Sequence, residues 1–239
     1  MRFLVTGCSR SGTTYAARLF SALGIPCGHE SVFNIFRVRP GDPAPELDHP
    51  KWDGDASFLA VPFLETLPAG TVVLHQTRHP LEVIRSHMGI HFFADPVEPS
   101  PFLAENHADF LRVIERGCPE IFRARDECTR CALYWVHWNR LAGRAARLPG
   151  LDYVRYRLED LDAGLLGRLL ARIGVELPEE RIEAALAAVP RDANHRPRDE
   201  SITLSRIPGP ERDALLRAAR DHGYSTIPWR RSTAAATSA

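Results

Sequence analysis

Two periods of hydrophobic and polar positions run through this 239-residue chain. RFLVTG (2–7) is a short, β-rich apolar run ending in glycine, and TVVLHQT (71–77) and DYVRYR (152–157) are further runs with strand character. From Thr13 to Leu23 the period changes: Tyr15, Ala16, Leu19, Phe20 and Leu23 fall at i, i+3, i+4 spacing, which predicts a helix ended by Gly24 and Pro26. Pro80 stands at the favoured first position of a helix reaching about Met88. The pattern is helical again over 102–147. It is clearest in 131–148, with Leu133, Val136, Leu141 and Ala145 among the apolar positions. Two helices are expected near 161–173 and 178–188, and a last one at 211–222. Segments 37–55 and 95–101, rich in Pro and Asp, read as loops, the first of them exposed. Segment 57–67 is a short apolar element of either type, 190–210 is polar and Pro-rich, and 230–239 reads as a disordered tail. Strands alternating with helices imply a three-layer α/β/α fold with a mainly parallel central sheet, formed as one domain over 1–229.

Ligands of such folds gather at the carboxyl ends of strands. Two runs end in candidate chemistry: 2–6 leads into GCSRSGTT (7–14), and 71–77 leads into Arg78. In GCSRSGTT, Gly7 and Gly12 allow a tight turn that aims successive N–H groups at one point. The helix that follows adds its positive end, so the loop is an anion cradle. Ser9 and Ser11 lie within the loop, Thr13 and Thr14 offer hydroxyls on the first turn, and Arg10 is a permanent cation. The GxxxxG spacing of a nucleotide phosphate loop is kept, but Thr13 stands where a kinase-type loop has lysine. The second strand also lacks the acidic end that commonly handles Mg²⁺. A phosphate ester bound without an obligatory metal fits these residues better than a metal-bound triphosphate.

At this point the sequence resembles the sulfotransferases that use 3′-phosphoadenosine-5′-phosphosulfate (PAPS), whose fold is P-loop-containing nucleotide hydrolase-like. Their 5′-phosphosulfate loop reads [K/R]SGTT after the first strand; this chain has Arg10-Ser11-Gly12-Thr13-Thr14. Their second motif is an arginine at a strand end with a serine eight residues later; here RHPLEVIRS supplies Arg78 and Ser86. The resemblance covers roughly the first 90 residues, and beyond them only YRLEDL (156–161) is similar to a family segment. It implies that the loop, Ser9 to Thr14, holds the 5′-phosphosulfate, that Arg78 and Ser86 hold the 3′-phosphate, and that PAP is the product. No metal is expected. The segment CGHE (27–30) resembles the tyrosine and carbohydrate branches, where a glutamate at this distance beyond the loop is the base. That implies Glu30 as general base, His29 as second candidate, and Arg10 as the group steadying charge on the sulfonate and leaving phosphate. The acceptor would be a hydroxyl or an amine of a small molecule, carbohydrate or lipid. A small-metabolite kinase using ATP and a non-catalytic nucleotide-binding relative are the alternatives.

Other constellations change this picture little. Cys128-x-x-Cys131 with Cys118 and His137 lacks the second pair that a structural zinc site needs. His87 and His91 are four apart with no HExxH around them, so they are either unrelated or line the acceptor cleft. Tyr134, Trp135 and Trp138 suit core packing first and a pocket wall second. Arg191, His195, Arg196, Arg198 and Arg206 could close over a nucleotide.

Thirty acidic residues balance 30 Lys and Arg, which speaks against a general nucleic-acid coat protein. Lys51 is the only lysine, so any cationic role falls to arginine. No secretory signal and no apolar stretch of about 18 residues is visible. Five cysteines, an odd number, read as free thiols. A cytoplasmic protein without a membrane span is the expectation.

Overall fold

The computed structural model describes residues 1–38, 45–47, 49–94, 107–191 and 198–225. The tail at 230–239, the loop at 95–101, and His195 and Arg196 lie outside the described residues. Five strands form one sheet: β1 (Phe3–Thr6), β2 (Cys27–His29), β3 (Gly54–Ala56), β4 (Val72–Thr77) and β5 (Asp152–Arg157). Their order is β2-β3-β1-β4-β5, and every pairing is parallel.

Side chains alternate across the sheet as the period of two requires. Phe3 and Val5 of β1, and Val72 and Leu74 of β4, enter one core. There they meet helices α1 (Thr13–Ala22), α5 (Ala163–Arg172) and α6 (Glu179–Ala188). Leu4 and Val73 enter the other core, with a 3-10 helix at Phe58–Thr66 and helices α2 (Pro80–Met88), α3 (His107–Gly117), α4 (Glu127–Ala142) and α7 (Gly209–Asp221). The result is the three-layer α/β/α arrangement expected from the sequence. Among the described residues no helix is long and apolar enough to cross a membrane.

Two strands correct the sequence analysis. Residues 37–55 are not one exposed loop: Val38 is buried, and Gly54 and Asp55 belong to β3, which lies between β2 and β1 in the sheet. β3 has a glycine because Phe3 packs there; a Cβ on Gly54 would stand 2.3 Å from the Phe3 ring. Residues 27–29, expected only as the segment after α1, are strand β2. The undecided segment 57–67 is the 3-10 helix, capped by Ser57, whose side chain accepts from the Leu59 N–H.

Within 131–148 the assignment of faces also shifts. Tyr134, Trp135 and Trp138 are fully buried, whereas Leu133, Val136 and Leu141 are half-buried. The aromatic stripe is therefore core and not the wall of a pocket.

Candidate active site

β1 and β4 lie side by side, and the chain leaves them in opposite directions, toward β2 from β1 and toward β5 from β4. This is a topological switch point, where parallel sheets open a crevice. The loop Gly7–Gly12 and Arg78 both sit at its mouth.

The loop is built by unusual backbone angles. Gly7 has φ +153° and Gly12 φ +104°, and Arg10 adopts +67° although it carries a Cβ. A Cβ on Gly7 would stand 2.1 Å from the Gln76 carbonyl oxygen, so only glycine allows β1 and β4 to approach so closely. Gln76 holds the loop from below: its Nε2 donates to the Ser11 carbonyl at 2.6 Å while Tyr156 Oη donates to its Oε1 at 2.5 Å. Ser9 and Ser11 turn inward. The Ser9 N–H donates to Tyr134 Oη at 2.9 Å and Ser9 Oγ lies 2.7 Å from His87 Nε2. Ser11 N and Oγ both donate to the Cys8 carbonyl. The two serines thus shape the loop from within.

α1 begins at Thr13 with Gly12 as N-cap. Gly12 has no side chain to cap it, and no acidic residue lies in its first turn. A helix end of this kind suits an anion. Thr13 and Thr14 Oγ1 lie 3.3 and 3.0 Å from His29 Nε2, at the end of β2. Burial, then Arg18, pushes His29 down to about 4. His29 is uncharged at neutral pH, so its 3.8 Å approach to Glu30 Oε1 is not an ion pair there.

Glu30 follows at φ +50°. Burial first, then the Asp55 carboxylate, pushes its carboxyl up to about 7, against the pull of Arg10. Arg10, Glu30 and His91 are the non-glycine residues with positive φ among those described, and two of the three are candidate site residues. Such strain concentrates where a site over-determines its backbone.

The second motif meets the first directly. Arg10 Nε donates to Ser86 Oγ at 2.8 Å, and Arg78 Nη1 donates to the Arg10 carbonyl at 3.2 Å. α2 starts on Pro80 at its first turn, and this places Ser86 buried on the helix face toward the loop. Arg78 is held at the strand end by three groups. Trp135 Nε1 donates to its carbonyl at 3.0 Å, Glu159 accepts the next N–H, of His79, at 2.8 Å, and Glu82 lies 3.5 Å from its Nη2. Glu82 also pairs with Arg198 at 2.6 Å and Arg85 at 3.6 Å. Arg198 therefore reaches this end of the crevice. Arg191 instead donates to the Leu161 carbonyl, and Arg206 is exposed on the 3-10 helix Leu204–Arg206.

Sequence reasoning missed Gln76, Glu82, Glu159 and Asp55. Glu82 left a signal, its i+4 spacing from Arg78. Glu159 lies in the YRLEDL segment already singled out; Gln76 and Asp55 act through contacts between distant parts of the chain and left none.

His87 is buried in the aromatic core beside Phe92, Phe93 and Tyr134, and His91 is exposed and 3.4 Å from Glu127. The pair faces no common ligand. All five cysteines are free and buried, Cys118, Cys128 and Cys131 included. Among the described residues no group of three or more His, Cys, Asp or Glu is placed to hold a metal ion.

No family model matches the chain, and no curated protein matches it. Among solved structures, the mouse sulfotransferase SULT7A1 complexed with PAP is similar in layout, with 14% identity and a TM-score of 0.40. The likeness covers 80% of this chain, and the chain spans 64% of the mouse protein's length.

Proposed function

We propose that the chain, acting as one domain over residues 1–229, is a PAPS-dependent sulfotransferase that moves a sulfonate to a hydroxyl or amine of an acceptor. One observation carries this reading: the Arg10 Nε–Ser86 Oγ hydrogen bond of 2.8 Å. Residues 76 positions apart, singled out for two different phosphates, meet at one point, with Arg78 bonded to the same loop. The residues present suit such a donor. The glycine-shaped loop and the α1 N-terminus form one anion seat, and Arg78, Ser86 and Arg198 gather at another.

In this assignment the bound donor supplies an activated sulfonate, whose bond to the 5′-phosphate oxygen breaks as the acceptor oxygen or nitrogen bonds to sulfur. Thr13, Thr14 and the helix N-terminus orient the 5′-phosphosulfate. His29 Nε2 lies against both threonine hydroxyls; with its proton on that nitrogen it donates to a threonine oxygen and leaves the hydroxyl protons for the phosphosulfate. Arg78 and Ser86 hold the 3′-phosphate. Arg10, fixed between the two seats, places its charge where the leaving phosphate gains negative charge. Glu30 takes the acceptor proton; a carboxyl held near 7 is a better-matched base at neutral pH than an imidazole held near 4. Five buried free thiols suit a reducing, cytoplasmic setting.

The test is Glu30→Gln, assayed with ³⁵S-labelled donor and a panel of alcohols and amines. Turnover should fall by roughly a hundredfold or more while affinity for adenosine 3′,5′-bisphosphate is kept. Full activity in this variant removes Glu30 from the mechanism.

A further inference from the structure

Asp55 is the one acidic side chain that the fold buries completely among the described residues. An acid is costly to bury unless its oxygens find donors. Here the donors are three consecutive backbone amides: Oδ1 accepts from the Ser31 N–H at 3.0 Å, and Oδ2 from Val32 at 3.3 Å and Phe33 at 3.0 Å. These residues directly follow Glu30, whose left-handed backbone is unfavourable for any residue with a Cβ. The neighbours of Asp55 on the chain hold the same turn. The Ala56 carbonyl accepts the Glu30 N–H at 3.2 Å, and Ser57 Oγ donates to the Phe33 carbonyl at 2.7 Å. Opposite, position 28 must be glycine, since a Cβ there would stand 2.6 Å from Ser31 and 2.8 Å from Asp55 Oδ1.

We propose that Asp55 is a positioning residue for Glu30: by gathering the amides of Ser31, Val32 and Phe33 it fixes the left-handed turn that aims the Glu30 carboxylate into the crevice. The inference rests on Glu30 being the base. A second link is electrostatic, because the Asp55 charge lies close enough to raise the proton affinity of Glu30. The other groups that face Glu30 are Arg10, which opposes this, and His29, uncharged at neutral pH; His49 faces Asp55.

The experiment is a carboxyl-carbon NMR titration of Glu30 in the wild type and in Asp55→Asn, with turnover measured at about pH 9, where Glu30 is ionised in both proteins. In the variant the Glu30 midpoint should fall by roughly one pH unit, and turnover by about tenfold or more with bisphosphate affinity unchanged. An unmoved midpoint or undiminished turnover overturns the proposal. If Asp55→Asn does not fold, the turn is measured in Glu30→Gln, where the Ser31 and Phe33 amides should exchange slowly because Asp55 still holds them. Rapid exchange there overturns the proposal. Failure of the sulfotransferase reading shows separately, as absence of bisphosphate binding by the wild type, and leaves the titration and the exchange measurement interpretable.

Discussion

Arg10 joins the two ends of the candidate site. Its left-handed backbone shapes the loop, its carbonyl receives Arg78, and its side chain reaches Ser86. The sequence displayed each residue by type and spacing. It could not display the bond between Arg10 and Ser86, which depends on how α2 packs beside the loop. Asp55 was hidden for a different reason: in DGDA an aspartate between small residues looks like a turn. The pH behaviour belongs to this scale. Glu30 must be ionised to take a proton, so kcat/KM should rise with pH and level off above about 7, as a pH–rate profile will show. A profile flat between pH 5 and 8 would contradict the role of Glu30. In stability the two neighbours act oppositely. The imidazole held near 4, below its ordinary 6.5, binds fewer protons folded than unfolded, so its stabilisation is full above 6.5 and lost as pH falls toward 4. The carboxyl held near 7, above its ordinary 4.5, favours the fold below 4.5 and loses that contribution as pH rises through 7.

Among the elements, β1, β4, β5 and α1 were legible because their own side chains satisfy one period over several residues. Strands β2 and β3 were not. Each has three residues, CGH and GDA, with no β-branched side chain between them. They are strands because the sheet supplies partners, Asp55 pairing with Leu4 on one side and Gly28 on the other. The aromatic helix α4 was legible as a helix, but its use was only partly so. Trp135 is both core and support, since its indole N–H holds the carbonyl of Arg78. Trp135→Phe keeps most of the packing and leaves that carbonyl unpaired. It should cost about 1–3 kcal/mol in a denaturant melt and weaken bisphosphate binding; an unchanged melt would mean that the contact contributes nothing.

For the whole molecule, the sheet order puts everything proposed here at one edge. β1 and β4 are adjacent and their connections diverge, so the phosphate loop and Arg78 share a crevice. β2 and β3 extend the sheet beyond β1 and bring His29, Glu30 and Asp55 alongside. The class of fold was legible in the alternation of strands and helices. The order of the strands was not, because two of the five could not be seen. The central claim is a donor site of two phosphate seats that needs no metal. It is tested most directly by calorimetric titration of the protein with adenosine 3′,5′-bisphosphate, beside ATP with and without Mg²⁺. Metal-independent bisphosphate binding, weakened roughly ten- to a hundredfold in Arg78→Ala, is the result expected. Binding of Mg-ATP alone, with the bisphosphate inert, would contradict the account and turn GCSRSGTT into the loop of a kinase.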